Sequence, residues 1–206
     1  MKVYEYRGIR GLVCAEVLKD DAEGMEFGTP FPIAGVNELG KETETSSEAH
    51  YYDNVPAVVI DSTGADTVTM ATSAIPLDTL ANITGQFYDE NLAMFVEGER
   101  EVKYFAIGYI TKRTDGVEVF VWRLKGTFNI PSSTHVTEDD GTDANGQELV
   151  YTGINTLKKF ALVKGGKTYN KTVKAINIEQ DKNPQVESEF FATVHTPDMV
   201  KKTTVA

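Results

Sequence analysis

Cysteine is almost missing from this 206-residue chain: Cys14 stands alone, so no internal disulfide can form. Its run is apolar-flanked, which predicts a small buried residue suited to a reducing compartment. Long hydrophobic runs are also missing. No stretch approaches the ~20 apolar residues of a membrane span, and Glu5, Arg7, Arg10 and Glu16 interrupt the N-terminal stretch where a secretory signal would need an unbroken apolar core. Positive charge is scarce, with 20 Lys and Arg against 31 Asp and Glu and a formal net charge of −11. Phosphate binding draws on clustered cations, so general affinity for nucleic acid is not expected. The charge favours solubility, and DNA near such a surface is repelled. Histidine is sparse, and His50, His135 and His195 have no metal-ligand spacing such as HExxH. We read each as a surface or strand residue.

What is present is ordinary for a folded chain: 41% hydrophobic and 25% charged residues can build a core. Strand signals dominate. Over 118–130, Phe120, Trp122, Leu124, Phe128 and Ile130 recur at period two, with Arg123, Lys125, Thr127 and Asn129 between them. That pattern predicts a strand with one dry and one wet face. Residues 102–112 are apolar on both faces and predict a central strand, and Arg113-Thr114-Asp115-Gly116 is a turn signal joining the two as a hairpin. Further strands are expected at 9–18, 55–60, 66–72, 148–156 and 189–196. One helix is expected at about 76–84, with Pro76 in its first position, Leu77, Leu80, Ala81 and Thr84 on one face, and Gly85 ending it. Strands and helices do not alternate as a parallel α/β fold requires. The expected fold is mainly β, an antiparallel sandwich or barrel with one short flanking helix and long loops. It forms a single domain over 1–206, with 197–206 as a flexible tail.

Three segments stand out by charge. Residues 38–53 hold Glu38, Glu42, Glu44, Glu48 and Asp53 against Lys41, alternate with polar residues on both faces, and are expected to be an elaborated hairpin or loop region of the domain. Residues 138–148 hold Glu138, Asp139, Asp140, Asp143 and Glu148 with no base, and read as a long mobile loop. Residues 157–174 hold Lys158, Lys159, Lys164, Lys167, Lys171 and Lys174 with no acid.

Enzymatic motifs fail on inspection. Ala161 to Thr168 approaches a phosphate-binding loop, but Ala161 replaces the first glycine and no helix signal follows Lys167-Thr168. A Gly-Gly turn is the simpler reading. Ala57 to Asp61 looks like an ordinary buried strand ending at a turn. A calcium loop through Asp143 to Gly146 would put Gly141 first and Thr152 last, where acids are required. There is no Gly-x-Ser-x-Gly elbow. Asn82 and Asn170 match the glycosylation pattern, which means nothing without secretion. The lysines lie among Phe160 and Tyr169, an arrangement that can stack bases; the acid excess argues for a solvated or subunit-facing surface instead. No catalysis, cofactor or metal is expected.

Taken in order, several motifs resemble the major tail proteins of long-tailed bacteriophages, of the phi13-like type. They run from Gly28-Thr-Pro-Phe-Pro-Ile-Ala-Gly-Val36 to Tyr51-Tyr52-Asp53-Asn54, similar to the family's Tyr-Ala-Asp-Asn with Tyr52 in place of Ala. Then come Ile75-Pro76-Leu77, Tyr104-Phe105-Ala106-Ile107-Gly108, and Val121-Trp122-Arg123-Leu124-Lys125 ending in Pro131. The match covers most of residues 28–196.

The resemblance implies a β-sandwich or barrel that forms hexameric rings stacked into a virion tail tube, assembled in the host cytoplasm. Its neighbours would be tape-measure and other tail proteins, and the genome would pass through without specific binding. In such a tube, Glu38, Glu42, Glu44, Glu48 and Asp53 are expected to face the lumen. Between subunits, the acidic loop of Glu138, Asp139, Asp140 and Asp143 is expected to meet Lys158, Lys159, Lys164 and Lys167. The alternative is a virion-associated receptor- or carbohydrate-binding β module using Tyr51, Tyr52, Tyr88 or Trp122 as a stacking platform.

Overall fold

The computed structural model describes residues 3–137 and 145–200. In chain order its elements are β1 (Tyr6–Asp20), β2 (Met25–Phe27), β3 (Phe31–Pro32), β4 (Val36–Tyr52), β5 (Val55–Thr72), α1 (Leu77–Thr84), β6 (Phe87–Asp89) and β7 (Met94–Val96). They continue with β8 (Phe105–Arg113), β9 (Glu118–Phe128), β10 (Ser132–Ser133), β11 (Gln147–Gly153), β12 (Phe160–Lys164), β13 (Lys167–Lys171), β14 (Ala175–Glu179) and α2 (Val186–Glu189).

The protein is mainly β and antiparallel, as the strand signals predict. One 10-stranded sheet runs β2-β1-β8-β9-β11-β5-β4, with β3 on β1, β14 on β9 and β10 on β11. The sheet curls but does not close into a barrel. Where the base of β4 nears β1, a groove of about 820 Å³ remains, walled by Tyr6, Ile9, Leu39, Lys41, Tyr109 and Arg123.

Both faces of the sheet's centre are covered, which accounts for the doubly apolar β8. On one side Leu12, Cys14, Val68, Met70, Phe105, Ile107, Leu149 and Tyr151 pack with Leu80 and Ile83 of α1. On the other, Ala106, Ile110, Phe120, Trp122 and Leu124 meet Phe160, Ile178, Val186, Phe190 and Val194. Gly108 belongs to this second layer for a steric reason: a Cβ there would sit 2.8 Å from the Trp122 ring.

Several expectations are corrected. β9 has no wet face, because Arg123 and Lys125 are buried and ion-paired, Arg123 with Asp66 at 2.6 Å and Lys125 with Asp20 at 2.8 Å. The strands expected at 55–60 and 66–72 are one strand, β5. Residues 57–61, expected to be buried, are exposed. No strand forms at 189–196; the segment begins on the last residue of α2 and spends Phe190 and Val194 on the second core instead of on a ladder. Pro76 caps α1 from outside its first turn, Gly85 ends it in the left-handed conformation, and Ile83 takes the buried place expected for Leu77, which is exposed. Residues 160–164 and 167–171, unassigned from sequence, form a hairpin.

Candidate functional site

β4 and β5 form the longest hairpin of the chain, and only its root is part of the body. β11 pairs with β5 as far as the Gly153–Asp66 partners. Beyond that point, residues 45–63 of the two strands pair only with each other. At ~3.3 Å per residue this free arm reaches about 25 Å from the sheet. Its end is a two-residue turn in which Asp53 and Asn54 both have positive φ, 52° and 64°, the geometry that suits the twist of a hairpin.

The arm leaves large apolar side chains in the open. Tyr51, Tyr52, Val55, Val58, Val59 and Ile60 are 49–65% exposed. An isolated two-stranded ribbon is marginally stable in water, and both edges of this one present unpaired backbone groups.

The root is held rigidly. Asp66 accepts hydrogen bonds from Arg123 Nη1 at 2.6 Å and Lys174 Nζ at 3.3 Å, and Lys174 also donates to the Gly64 carbonyl. Burial pushes the Asp66 carboxyl up, but hydrogen bonds from Thr43, Lys174 and Arg123 outweigh it and hold the group below its ordinary range. The register shifts between Thr43 and Thr45, so β5 carries an extra residue there, and the arm leaves the sheet at a bulge directly above this charge cluster.

The register also sorts the acids of residues 38–53. β4 alternates without interruption from Glu38 onward, which puts Glu38, Glu42, Glu44 and Glu48 on one side and Leu39, Lys41 and Thr43 on the other. Asp53 stands apart at the turn. The glutamate side continues across the sheet through Thr67, Thr69 and Ala71 of β5, Glu148, Val150 and Thr152 of β11, and Thr127 of β9. All are exposed or half-buried, and these positions include no base. Glu148 is thus a strand residue of this face and not part of a loop.

The lysines are less uniform than their spacing suggests. Lys174 is committed to Asp66, and Lys158 to Asp198 at 3.0 Å. Lys159, Lys164, Lys167 and Lys171 remain exposed on or beside the β12–β13 hairpin, with no acidic partner among the described residues. Their proposed partners Glu138, Asp139, Asp140 and Asp143 lie outside the described residues. The hairpin turns at Gly165 and Gly166, whose φ values of 59° and 77° explain both glycines. The resemblance to a phosphate loop ends there, since a strand follows and not a helix.

Other candidates fall into place. Trp122 is fully buried and cannot form a stacking platform, and Tyr88 is half-buried, so Tyr51 and Tyr52 alone are well exposed. His50 and His135 are exposed, whereas His195 is buried beside Phe190. Among the described residues, no group of three or more His, Cys, Asp or Glu could hold a metal ion, and no helix is long and apolar enough to cross a membrane. Comparison of the chain with protein-family models and with curated proteins finds no match.

Sequence reasoning found the polar strand and set 38–53 apart as an elaborated hairpin or loop region, but missed that 55–63 is the other half of the arm. The available signal was the near-equal length of the two segments flanking Asp53-Asn54. The residues Asp61-Ser-Thr-Gly64, which resemble a turn, hid it.

Proposed function

We propose that this chain is a structural subunit that assembles with its own copies into rings stacked as a tube, the tail tube of a long-tailed bacteriophage. The family resemblance implies rings of six, a place in the virion tail, and contacts with tape-measure and other tail proteins. The observation that carries the reading is the arm. It is a long ribbon with two open edges and exposed tyrosines and valines, and it projects from a body that does not use it. A second chain can complete the edges and cover the apolar side chains. The uncovered face bearing Glu38, Glu42, Glu44 and Glu148 is then suited to wall a channel, since a surface of acids and threonines offers DNA no cations to bind. Catalysis has no part in this role.

Electron microscopy and sedimentation of the concentrated protein test it. Hollow tubes or stacked rings are expected, appearing above a threshold concentration. A chain that stays monomeric at high concentration and is absent from tubes in virions would overturn it. The exposed Tyr51 and Tyr52 favour one other reading, a receptor- or carbohydrate-binding module; saturable glycan binding by the monomer, lost in Tyr51→Ala/Tyr52→Ala, would establish that instead.

A further inference from the structure

We propose that the β12–β13 hairpin of one copy is the dock for the distal β4–β5 arm of another. The inference rests on self-assembly and names the two surfaces that meet. Both are ribbons of two strands that leave the body, and they carry opposite charge. The distal arm, residues 45–63, holds Glu48, Asp53 and Asp61 and no lysine or arginine. Residues 159–171 hold Lys159, Lys164, Lys167 and Lys171 and no acid.

The basic hairpin is incomplete by itself. Lys164 and Lys167 are direct cross-strand partners at its tip, and like charges so placed destabilise a ribbon until an opposite charge comes between them. The hairpin also exposes Val163 and Tyr169, at 73% and 43%, which gives an incoming apolar ribbon something to cover. Phe160 and Leu162 anchor its root in the second core, so the tip is presented on a fixed base. No ion pair joins the two ribbons within one chain among the described residues, and the other lysines of the run are already occupied by Asp66 and Asp198.

On the arm, the side opposite the glutamate row carries Ala49, Val59 and Asp61, so it can dock without removing Glu38, Glu42 and Glu44 from the acidic face. Single exposed ion pairs contribute little. Repeated at each subunit they set the docking register, and salt screens them.

The test uses the full chain and reads the threshold concentration for assembly by sedimentation and light scattering, at low and high salt. Lys164→Glu/Lys167→Glu and Asp53→Lys/Asp61→Lys, the second pair at the turn and on the docking side of the arm, are each expected to raise the low-salt threshold about tenfold, the order that charge complementarity contributes at an interface. An equimolar mixture of the two variants, each offering its partner a complementary ribbon, is expected to recover most of the loss. Circular dichroism checks that each variant is folded. If wild-type protein assembles and both folded variants assemble at its threshold, the dock is elsewhere and this proposal fails, while the tube reading stands. If Lys164→Glu/Lys167→Glu is rescued only by Asp139→Lys/Asp140→Lys, the acidic loop is the partner and the proposal is again overturned. If wild-type protein never assembles, the tube reading itself falls and this one with it.

Discussion

Asp66 and Arg123 are each 8% exposed at the side chain and meet at 2.6 Å, with Lys174 on the second carboxylate oxygen. Removing one member of a buried pair strands the other in a poor dielectric. Asp66→Ala is therefore expected to cost about 3–5 kcal/mol in denaturant unfolding, since Arg123 Nε already lacks a partner. The sign with pH follows from the depressed carboxyl. Stability from Asp66 is fully present above the unfolded pKa of about 4 and is lost as pH falls through the lower folded value. Asp66→Asn should flatten the pH dependence of stability below pH 4, and an unchanged slope would refute the assignment. His195 acts near neutrality. Burial lowers its pKa against the opposing influence of the Thr193 carbonyl and Glu189, so the unfolded chain binds its proton first. Stability should fall as pH drops below about 6.5, and His195→Gln should remove that part of the decline in thermal melts across pH 5–8. At this scale the sequence was a partial guide. Period two placed Phe120, Trp122 and Leu124 on one dry face, as found. Arg123 and Lys125 read as wet because alternation registers polarity alone. Their counter-charges come from Asp66, 57 residues away, and Asp20, 105 residues away, distances that no local pattern reports.

Among the elements, β8 and β9 were the most legible, because a doubly apolar run joined by Asp115-Gly116 to an alternating one has few other solutions. The arm was the least. Val58, Val59 and Ile60 look like core, yet they stand exposed on a ribbon, and hydrophobic pattern alone does not tell a buried strand from a projecting one. The segment at 189–196 failed for the converse reason. Its apolar residues Phe190 and Val194 are used to cover the second core. If the arm serves assembly and not folding, it can be shortened without loss of the body. Deleting residues 48–60 and joining the cross-strand partners Ser47 and Asp61 through Asn-Gly, which favours the required turn, should leave thermal stability within about 1 kcal/mol, since none of the deleted residues is buried. The same deletion should abolish assembly at every concentration at which the intact chain forms tubes. A shortened chain that still forms tubes would show that the arm is dispensable.

For the whole molecule, the proposed assembly raises the question of what a copy would present once its edges and apolar side chains were taken by neighbours. The face of β4, β5 and β11 opposite the first core then becomes the exposed one, and it carries Glu38, Glu42, Glu44 and Glu148 among threonines. In the proposed tube, a duplex moving along such a wall would meet like charge at every subunit and no cation on which to pause. Converting Glu42 and Glu44 to lysine reverses this at two points per subunit. Every lysine that engages a phosphate adds about 0.9 to the slope of log affinity against log salt, and the contribution repeats around each ring. Virions carrying Glu42→Lys/Glu44→Lys are therefore expected to form tubes of normal appearance, because these residues lie apart from the ribbon tips, yet to release DNA several-fold more slowly in dilute buffer. Release should return toward the wild-type rate as salt is raised, since screening removes the new attraction. A neutral control, Glu42→Gln/Glu44→Gln, separates attraction from the loss of repulsion: it should change the rate far less than the lysine variant. Release measured by dye accessibility of the ejected DNA gives the readout. An unchanged low-salt rate in intact lysine-variant virions would place this face away from the passing duplex.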